Sequence, residues 1–237
     1  MRKILLILVL VMSVPLMAGN PGFGERRYSL TGMAEYSYNR VWLHHGNFDV
    51  QALLPFNPHF EMEVKVQAST ANVYTGALQF RPKFEVPVGE FFLETDLLVR
   101  AVARNRITDY TAAFGVGYRM DFVSFTLGLF TRVMHDWNTS WYSNETYYMT
   151  EPFNLMYRLE VFCRPQANPW NLSFLISNVD DYQMERQWQP LFGVGAWYDV
   201  DDHWRLLLSA QCKPTGMFHL DATFYGATLR TGFTYKF

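Results

Sequence analysis

The sequence of residues 223–237, TFYGATLRTGFTYKF, decides the fold. From Leu229 onward, every second residue falls on one face of an extended strand, since successive side chains of a strand point to opposite sides. The residues on this first face are apolar, aromatic or threonine: Leu229, Thr231, Phe233, Tyr235 and Phe237. Those on the second face are polar, charged or glycine, and they include Arg230 and Lys236. The alternation predicts a β-strand with one apolar and one polar face.

This strand resembles the terminal strand of bacterial outer-membrane β-barrels, in which a C-terminal aromatic residue is read by the assembly machinery. The resemblance rests on Phe233, Tyr235 and Phe237, which form a candidate C-terminal assembly signal. It implies a location in the outer membrane of a Gram-negative bacterium. It also implies two kinds of partner, namely the barrel-assembly machinery and the lipid and lipopolysaccharide of that membrane. The resemblance implies no substrate.

The beginning of the sequence has the pattern of an export signal. Arg2 and Lys3 precede the apolar run 4–14, and two small residues follow it. A charged start, a short apolar segment and small residues are typical of a secretory signal peptide, and about 20 apolar residues would be needed to span a bilayer. The sequence therefore predicts a signal peptide over residues 1–19 and a single barrel domain over residues 20–237.

Composition agrees with a membrane β-barrel and disfavours other classes. Of the 237 residues, 17% are aromatic and 18% are charged, and the net charge is −2. A nucleic-acid-binding protein normally carries a basic surface, so no nucleic acid is expected as a partner. Membrane-spanning strands need only about 10 alternating residues each, which is compatible with the mean hydropathy of −0.08. No cofactor motif is present.

Segments of alternating residues recur along the whole chain, separated by turns that are alternately tight and loose. The tight turns contain Pro, Gly, Asn and Asp, as at residues 87–89 and 200–202. Twelve strands are predicted, at residues 28–40, 47–56, 59–69, 74–86, 90–104, 109–119, 122–134, 152–164, 170–179, 188–199, 203–213 and 226–237. The predicted fold class is all-β: a single antiparallel up-and-down transmembrane barrel of about 12 strands, within a range of about 10 to 14.

Two barrel classes could place these faces in opposite ways. A soluble lipid-binding barrel such as a lipocalin would turn the apolar faces inward, whereas a membrane barrel turns them to lipid. Twelve strands exceed the eight of a lipocalin. Aromatic residues such as Tyr118 and Trp204 lie at the ends of the apolar faces, which suits the two lipid interfaces. The membrane barrel is therefore favoured.

The predicted inward faces of the third to fifth strands carry charges of both signs. The candidate lumen charge network consists of Glu61, Glu63, Lys65, Arg81, Lys83, Glu94, Asp96 and Arg100. The turns predict that Glu61 faces Arg81, that Arg81 lies near Asp96, and that Lys83 lies beside Glu94. Opposite charges across a ladder attract, whereas a selective pore usually has a ring of one sign. The sequence predicts a narrow or closed barrel with low conductance and weak ion selectivity.

The sequence also contains residue types that could serve a lipid-modifying enzyme or a metal site. The candidates are His44, His45, His135, Ser140, Ser143 and the acidic turn at residues 199–203. None has the spacing of a nucleophile and its base, and the turn lacks the Gly and Glu of an EF-hand loop. No catalytic, cofactor or metal residue is therefore predicted. Cys163 and Cys212 are interpreted as small apolar side chains rather than as a disulfide.

The leading hypothesis is a narrow small-solute channel or a surface-exposed barrel with a salt-bridged lumen. One alternative is an outer-membrane enzyme that modifies lipid A or phospholipid. Another is a barrel with a purely structural or binding role. The predicted external loop at residues 136–150 is rich in Trp and Tyr, which favours an extension of the aromatic belt over a sugar-binding surface.

Overall fold

The computed structural model describes residues 28–40, 43–137, 147–163, 170–180, 183–184, 189–215 and 223–237. The barrel strands are β1 (Ser29–Asn39), β2 (Leu43–Asn57), β3 (Phe60–Ser69), β4 (Val73–Val86), β5 (Gly89–Val102), β6 (Ile107–Arg119), β7 (Val123–Asp136), β8 (Tyr147–Cys163), β9 (Trp170–Ser177), β12 (Leu191–Asp199), β13 (Trp204–Thr215) and β14 (Thr223–Lys236). Two short strands, β10 (Val179–Asp180) and β11 (Gln183–Met184), form a separate hairpin, and Ala103–Asn105 form a 3-10 turn. The predicted signal peptide, residues 1–19, lies outside the described residues and remains a prediction.

The twelve long strands form one closed antiparallel barrel. Each strand pairs with the next long strand in the sequence, and the circle closes where β1 pairs with β14, from Ser29↔Lys236 to Asn39↔Gly226. The predicted fold class and strand number are therefore confirmed. No helix among the described residues is long and apolar enough to cross a membrane.

The two ends of the barrel differ in their connections. At the end that holds Ser29 and Lys236, here called the turn end, the hairpins are short, as between β4 and β5. There Gly89 has a φ of 118°, and a Cβ on it would lie 2.3 Å from the Arg119 carbonyl oxygen. The longer connections lie at the opposite end, called the loop end. Five strands begin earlier there than the sequence predicts, by one or two residues in β4 and β6 and by three or more in β2, β8 and β14.

The apolar faces of the strands point outward and the polar faces point inward. Leu97, Leu127 and Leu159 are 44%, 56% and 41% exposed on the outside, whereas Lys65 and Glu94 are only 5% and 2% exposed inside. A soluble protein would bury such leucines and solvate such charges. The arrangement is that of a barrel surrounded by lipid, and it settles the choice between membrane barrel and lipocalin.

Aromatic rings gather near both ends of this apolar surface. At the turn end, the Trp204 ring lies 4.8 Å from Tyr235, which in turn lies 5.0 Å from Phe237. Toward the loop end, Tyr36 and Tyr110 are exposed on the outer surface. Amphipathic rings at these heights suit the boundaries between lipid tails and headgroups.

The hairpin of β9 and β12 is shorter than its neighbours. The sequence predicts strands at 170–179 and 188–199, but β9 ends at Ser177, which faces Arg158 on β8 and Leu191 on β12. The chain beyond Ser177 turns into the barrel instead of continuing along the wall. Both cysteines, Cys163 on β8 and Cys212 on β13, are exposed free thiols.

Candidate functional site in the barrel lumen

An ion-pair cluster fills the turn-end side of the lumen along β3, β4 and β5. Arg81 binds Glu61 through Nη1 at 3.0 Å and Glu94 through Nη2 at 2.9 Å. The ammonium of Lys83 donates to the second carboxylate oxygen of Glu61. Arg81 also donates to Gln79 Oε1 at 2.7 Å. We call Glu61, Arg81, Lys83 and Glu94 the lower cluster.

The partners within the lower cluster differ in part from those predicted. Glu61 faces Arg81 as predicted, and Asp96 faces Gln79. The β4–β5 register, with Phe80↔Thr95 and Lys83↔Phe92, places Arg81 across from Glu94. The Lys83 ammonium contacts Glu61. The sequence analysis did not predict the Arg81–Glu94 and Lys83–Glu61 pairs, because the register of a hairpin depends on the turn type and loop length, which the sequence left open.

The other predicted network residues lie outside the lower cluster. Lys65 binds Glu63 at 3.2 Å, and Glu94 is also approached by Arg158 at 3.9 Å. Arg100 lies near the loop end, where its Nε donates to Asp109 at 2.9 Å. Arg100 is therefore paired apart from the lower cluster.

The segment after β9 crosses the lumen, which the sequence analysis did not predict. Asn178 replaces the missing strand backbone next to β8: its Nδ2 donates to Leu155 O at 2.7 Å, and its Oδ1 accepts from Tyr157 N at 2.8 Å. The Ser177 hydroxyl donates to Tyr157 O at 2.9 Å. These bonds turn the chain inward and position the two residues that follow.

Val179 anchors the crossing segment in an apolar patch on the inner wall. It packs with buried residues from five neighbouring strands: Ala77, Leu98, Ala113, Phe130 and Met156. These residues occupy inward positions that are otherwise polar in a membrane barrel. Phe130 and Met156 are each only 1% exposed. Apolar residues at these otherwise polar inward positions were the feature of the sequence that could have indicated a chain segment packed inside the barrel.

Asp180 continues the crossing to the opposite wall. Its Oδ1 accepts from Arg230 Nη2 on β14 at 2.8 Å, and its Oδ2 lies 3.4 Å from Lys213 Nζ on β13. Arg230 also binds Glu35 on β1, with an Nε–Oε2 distance of 2.5 Å. We call Glu35, Asp180, Lys213 and Arg230 the upper cluster. It joins the crossing segment to the wall where the barrel closes.

Two polar cavities lie in the lumen, the first lined by β1–β5, β13 and β14 and the second by β1, β2, β8, β9 and β12–β14. The loop-end cavity has a volume of about 220 Å³, and the turn-end cavity about 240 Å³. Glu35 and Lys213 line the first, whereas Arg158 and Ser209 line the second. Asp180 and Arg230 line both cavities. Their ion pair therefore forms the partition between the two spaces.

The candidates for an enzyme or metal site do not assemble around a common point. His44 Nδ1 lies 2.5 Å from the Tyr36 hydroxyl, and the His135 ring lies 3.6 Å from that of Trp137. Ser140 and Ser143, like most of the loop at 136–150, lie outside the described residues. Within the described part of the chain, no three His, Cys, Asp or Glu side chains are placed to hold a metal ion.

The acidic turn between β12 and β13 is held by its own hydrogen bonds. Asp201 Oδ1 accepts from the backbone N–H of Trp204 at 2.6 Å and of His203 at 2.7 Å. These bonds stabilise the ionised form and lower the pKa of Asp201. Asp199 binds Arg205 and Lys236, at 2.7 and 3.0 Å. The turn is thus a structural element of the barrel rim.

The comparisons with known proteins show similarity in fold. No protein-family model matches the sequence, and no curated protein sequence is similar to it. The KdgM porin superposes with a TM-score of 0.51 at 11% identity, over 88% of this chain and 99% of that one. The NanC porin superposes with a TM-score of 0.52 at 10% identity, over 88% of this chain and 100% of that one. The translocator domain of autotransporter NalP from Neisseria meningitidis superposes with a TM-score of 0.53 at 10% identity, over 100% of this chain and 96% of that one.

The closed barrel, its apolar outer surface and its aromatic rings define the class of the protein. The chain is a bacterial outer-membrane β-barrel protein with the fold of porins and of a translocator domain. The predicted class and the predicted location in the outer membrane are confirmed. At these levels of identity, the comparisons carry the fold and no substrate.

Proposed function

We propose that the protein is a narrow, weakly selective channel for small polar solutes. The proposal rests on one observation, namely the two polar cavities that lie in series in the lumen and share the Asp180–Arg230 pair. A solute would pass from the loop-end cavity to the turn-end cavity by displacing or bypassing that pair. The similarity in fold to two proteins named as porins is in keeping with this function.

The filled side of the lumen accounts for the narrowness. Eight-stranded barrels have an interior that side chains can fill, and barrels of 16 to 18 strands leave an aqueous channel. In this twelve-stranded barrel, the lower cluster and the apolar patch around Val179 occupy one side. The space beside them includes the two polar cavities. We therefore expect low conductance.

The charge distribution accounts for weak selectivity. The lower cluster has two carboxylates and two cations, and the upper cluster likewise has two of each. A strongly selective pore usually presents a ring of one sign to the passing ion. Charges that neutralise one another locally provide no such ring.

The Asp180–Arg230 pair that separates the two cavities can be tested by mutation. Replacing Asp180 with Ala removes the carboxylate that binds Arg230 and Lys213, so the crossing segment loses its bonds to the opposite wall. We expect the single-channel conductance in planar bilayers to rise, by about twofold or more. The matched control is Asp121→Ala, which removes an exposed carboxylate from a turn. Unchanged conductance in Asp180→Ala would show that ions pass elsewhere.

A separate measurement distinguishes the channel from a lipid-modifying enzyme. Wild-type protein expressed in a test strain should leave the masses of lipid A and phospholipids unchanged, while the purified protein gives stepwise current in bilayers. A new lipid mass without current would replace the channel with the enzyme. The absence of both would favour a structural or binding barrel.

The outer surface has its own proposed partners. The exposed apolar band contacts outer-membrane lipid, including lipopolysaccharide in the external leaflet. The aromatic residues Phe233 and Tyr235 of β14, with Phe237 just after it, are the candidate contact for the barrel-assembly machinery. Phe233 and Phe237 are each 49% exposed.

A further inference from the structure

The loop-end cavity has lining groups that the channel proposal does not explain. Apart from the upper cluster, most of its inward polar side chains are uncharged. They are amides and hydroxyls: Ser37, Asn39, Asn47, Gln67, Ser69 and Thr75. Amide and hydroxyl groups together offer both donors and acceptors. Such a surface is complementary to a molecule that itself carries several hydroxyl groups.

The charged groups of this cavity are already compensated. Arg230 binds Glu35 and Asp180, and Asp180 lies near Lys213. The guanidinium of Arg100, the remaining cation in the lining, donates to Asp109. A charged ligand would have to compete with these internal pairs, whereas a neutral ligand would leave them intact. The cavity therefore favours an uncharged occupant.

Two buried oxygen atoms of the lining have no hydrogen-bond partner within the described part of the chain. They are Thr75 Oγ1 and Asn47 Oδ1. Thr75 is only 3% exposed, and it points inward on β4. Asn47 uses its Nδ2 to donate to Glu35, so its Oδ1 remains available as an acceptor. Buried polar groups are costly when unpaired, and a hydroxyl-bearing solute would pair both.

The size of the cavity limits the occupant. A volume of about 220 Å³ equals about seven water molecules at about 30 Å³ each. Pockets for drug-sized ligands begin at about 300 Å³. The cavity therefore has room for a molecule of about the size of a single sugar ring, and an oligomer would extend beyond it.

We propose that the loop-end cavity is a binding site for a neutral, hydroxyl-rich solute of monosaccharide size, such as a sugar or polyol. The proposal deepens the channel proposal and rests on it, since the site would load the solute on the outer side of the partition. Thr75 and Asn47 accept hydrogen bonds from solute hydroxyls, and the surrounding hydroxyls and amides pair with the rest. The site selects against charged solutes through its internal ion pairs.

The experiment uses the full barrel in detergent micelles and isothermal titration calorimetry. The neutral probes are glucose and myo-inositol, and the charged probes of similar size are gluconate and glucosamine. At least one neutral probe should bind, and should bind more tightly than either charged probe. Thr75→Val should weaken that binding roughly three- to tenfold through loss of one hydrogen bond, while Thr75→Ser should retain it.

Thr111→Val is the matched control, because Thr111 is also buried and inward but does not line the cavity. It should bind the neutral probe as the wild type does. The proposal is overturned if neither neutral probe binds, if a charged probe binds more tightly, or if Thr75→Val and the wild type bind equally. Bilayer conductance is measured separately. Absence of current would refute the channel and leave the binding result standing, whereas current without binding would refute the site alone.

Discussion

Leu97→Arg lowers the free energy of unfolding in lipid by about 2 to 4 kcal/mol, the cost of an arginine that faces lipid near the bilayer midplane. Leu97 points outward from β5 and is 44% exposed. Its neighbours across the ladder are Leu78 on β4 and Ala112 on β6, so no polar group lies directly beside it. The measurement is reversible unfolding of the barrel in lipid vesicles by urea or guanidinium, followed by tryptophan fluorescence.

The control for this prediction is Ser124→Arg on β7. Ser124 lies on the inward side of a strand whose outward neighbour, Phe125, is exposed to lipid. An arginine at position 124 reaches the polar interior, so its cost should be well below that at Leu97. Equal losses at the two positions would mean that the assignment of outer and inner faces is wrong.

Arg81→Ala is expected to be at least as destabilising, by about 3 to 5 kcal/mol, because it leaves buried carboxylates without their cation. The side chains of Glu61 and Glu94 are only 7% and 2% exposed, and both bind Arg81. Lys83 still neutralises Glu61, whereas Glu94 loses its partner at 2.9 Å and keeps the more distant Arg158 at 3.9 Å and the attraction of Lys65. The midpoint of heat unfolding in detergent should fall, and single-channel conductance should rise as the lower cluster opens.

The matched control for Arg81→Ala is Arg205→Ala at the rim. Arg205 binds Asp199 at 2.7 Å, but the two side chains are 32% and 33% exposed, and such pairs contribute about 0 to 1 kcal/mol. A similar loss of stability in both variants would show that the lower cluster is no stronger than a surface pair. A large, strongly ion-selective current from the wild type would contradict the balanced lumen as well.

The fold could be predicted because a membrane barrel has a period of two throughout its lipid-facing band. Lipid requires apolar side chains on the outer face of each strand, and hydration of the lumen favours polar side chains on the inner face. Strands such as β3 and β5 can therefore be recognised in the sequence by their alternation of apolar and polar residues. Beyond the lipid-facing band the outer face need not be apolar, but the hydrogen bonds between neighbouring strands continue. That is why β2 and β8 begin at Leu43 and Tyr147 rather than at residues 47 and 152.

The lumen could be predicted less completely. Alternation identified Glu61, Arg81 and Glu94 as inward residues. Which of these residues pair across neighbouring strands also depends on the strand register, and one residue more or fewer in the turn changes that register. The crossing segment was missed because residues 170–179 were predicted as one continuous strand of the wall, with Asp180 in the connection that follows. Only the inward Leu98, Phe130 and Met156 indicated that an apolar group packs inside, and this signal does not say which part of the chain supplies it.

The position of Arg230 has a consequence for the kinetics of folding. All the barrel hairpins pair strands that follow one another in the sequence, whereas the β1–β14 pairing joins the two ends of the domain, and Arg230 and Glu35 are 195 residues apart. Such long-range pairing forms late, since it bears most of the loop-closure entropy. Arg230 also binds Asp180. The closure of the barrel and the docking of the crossing segment therefore depend on the same side chain. The interior partition is thereby completed in the same event that seals the wall.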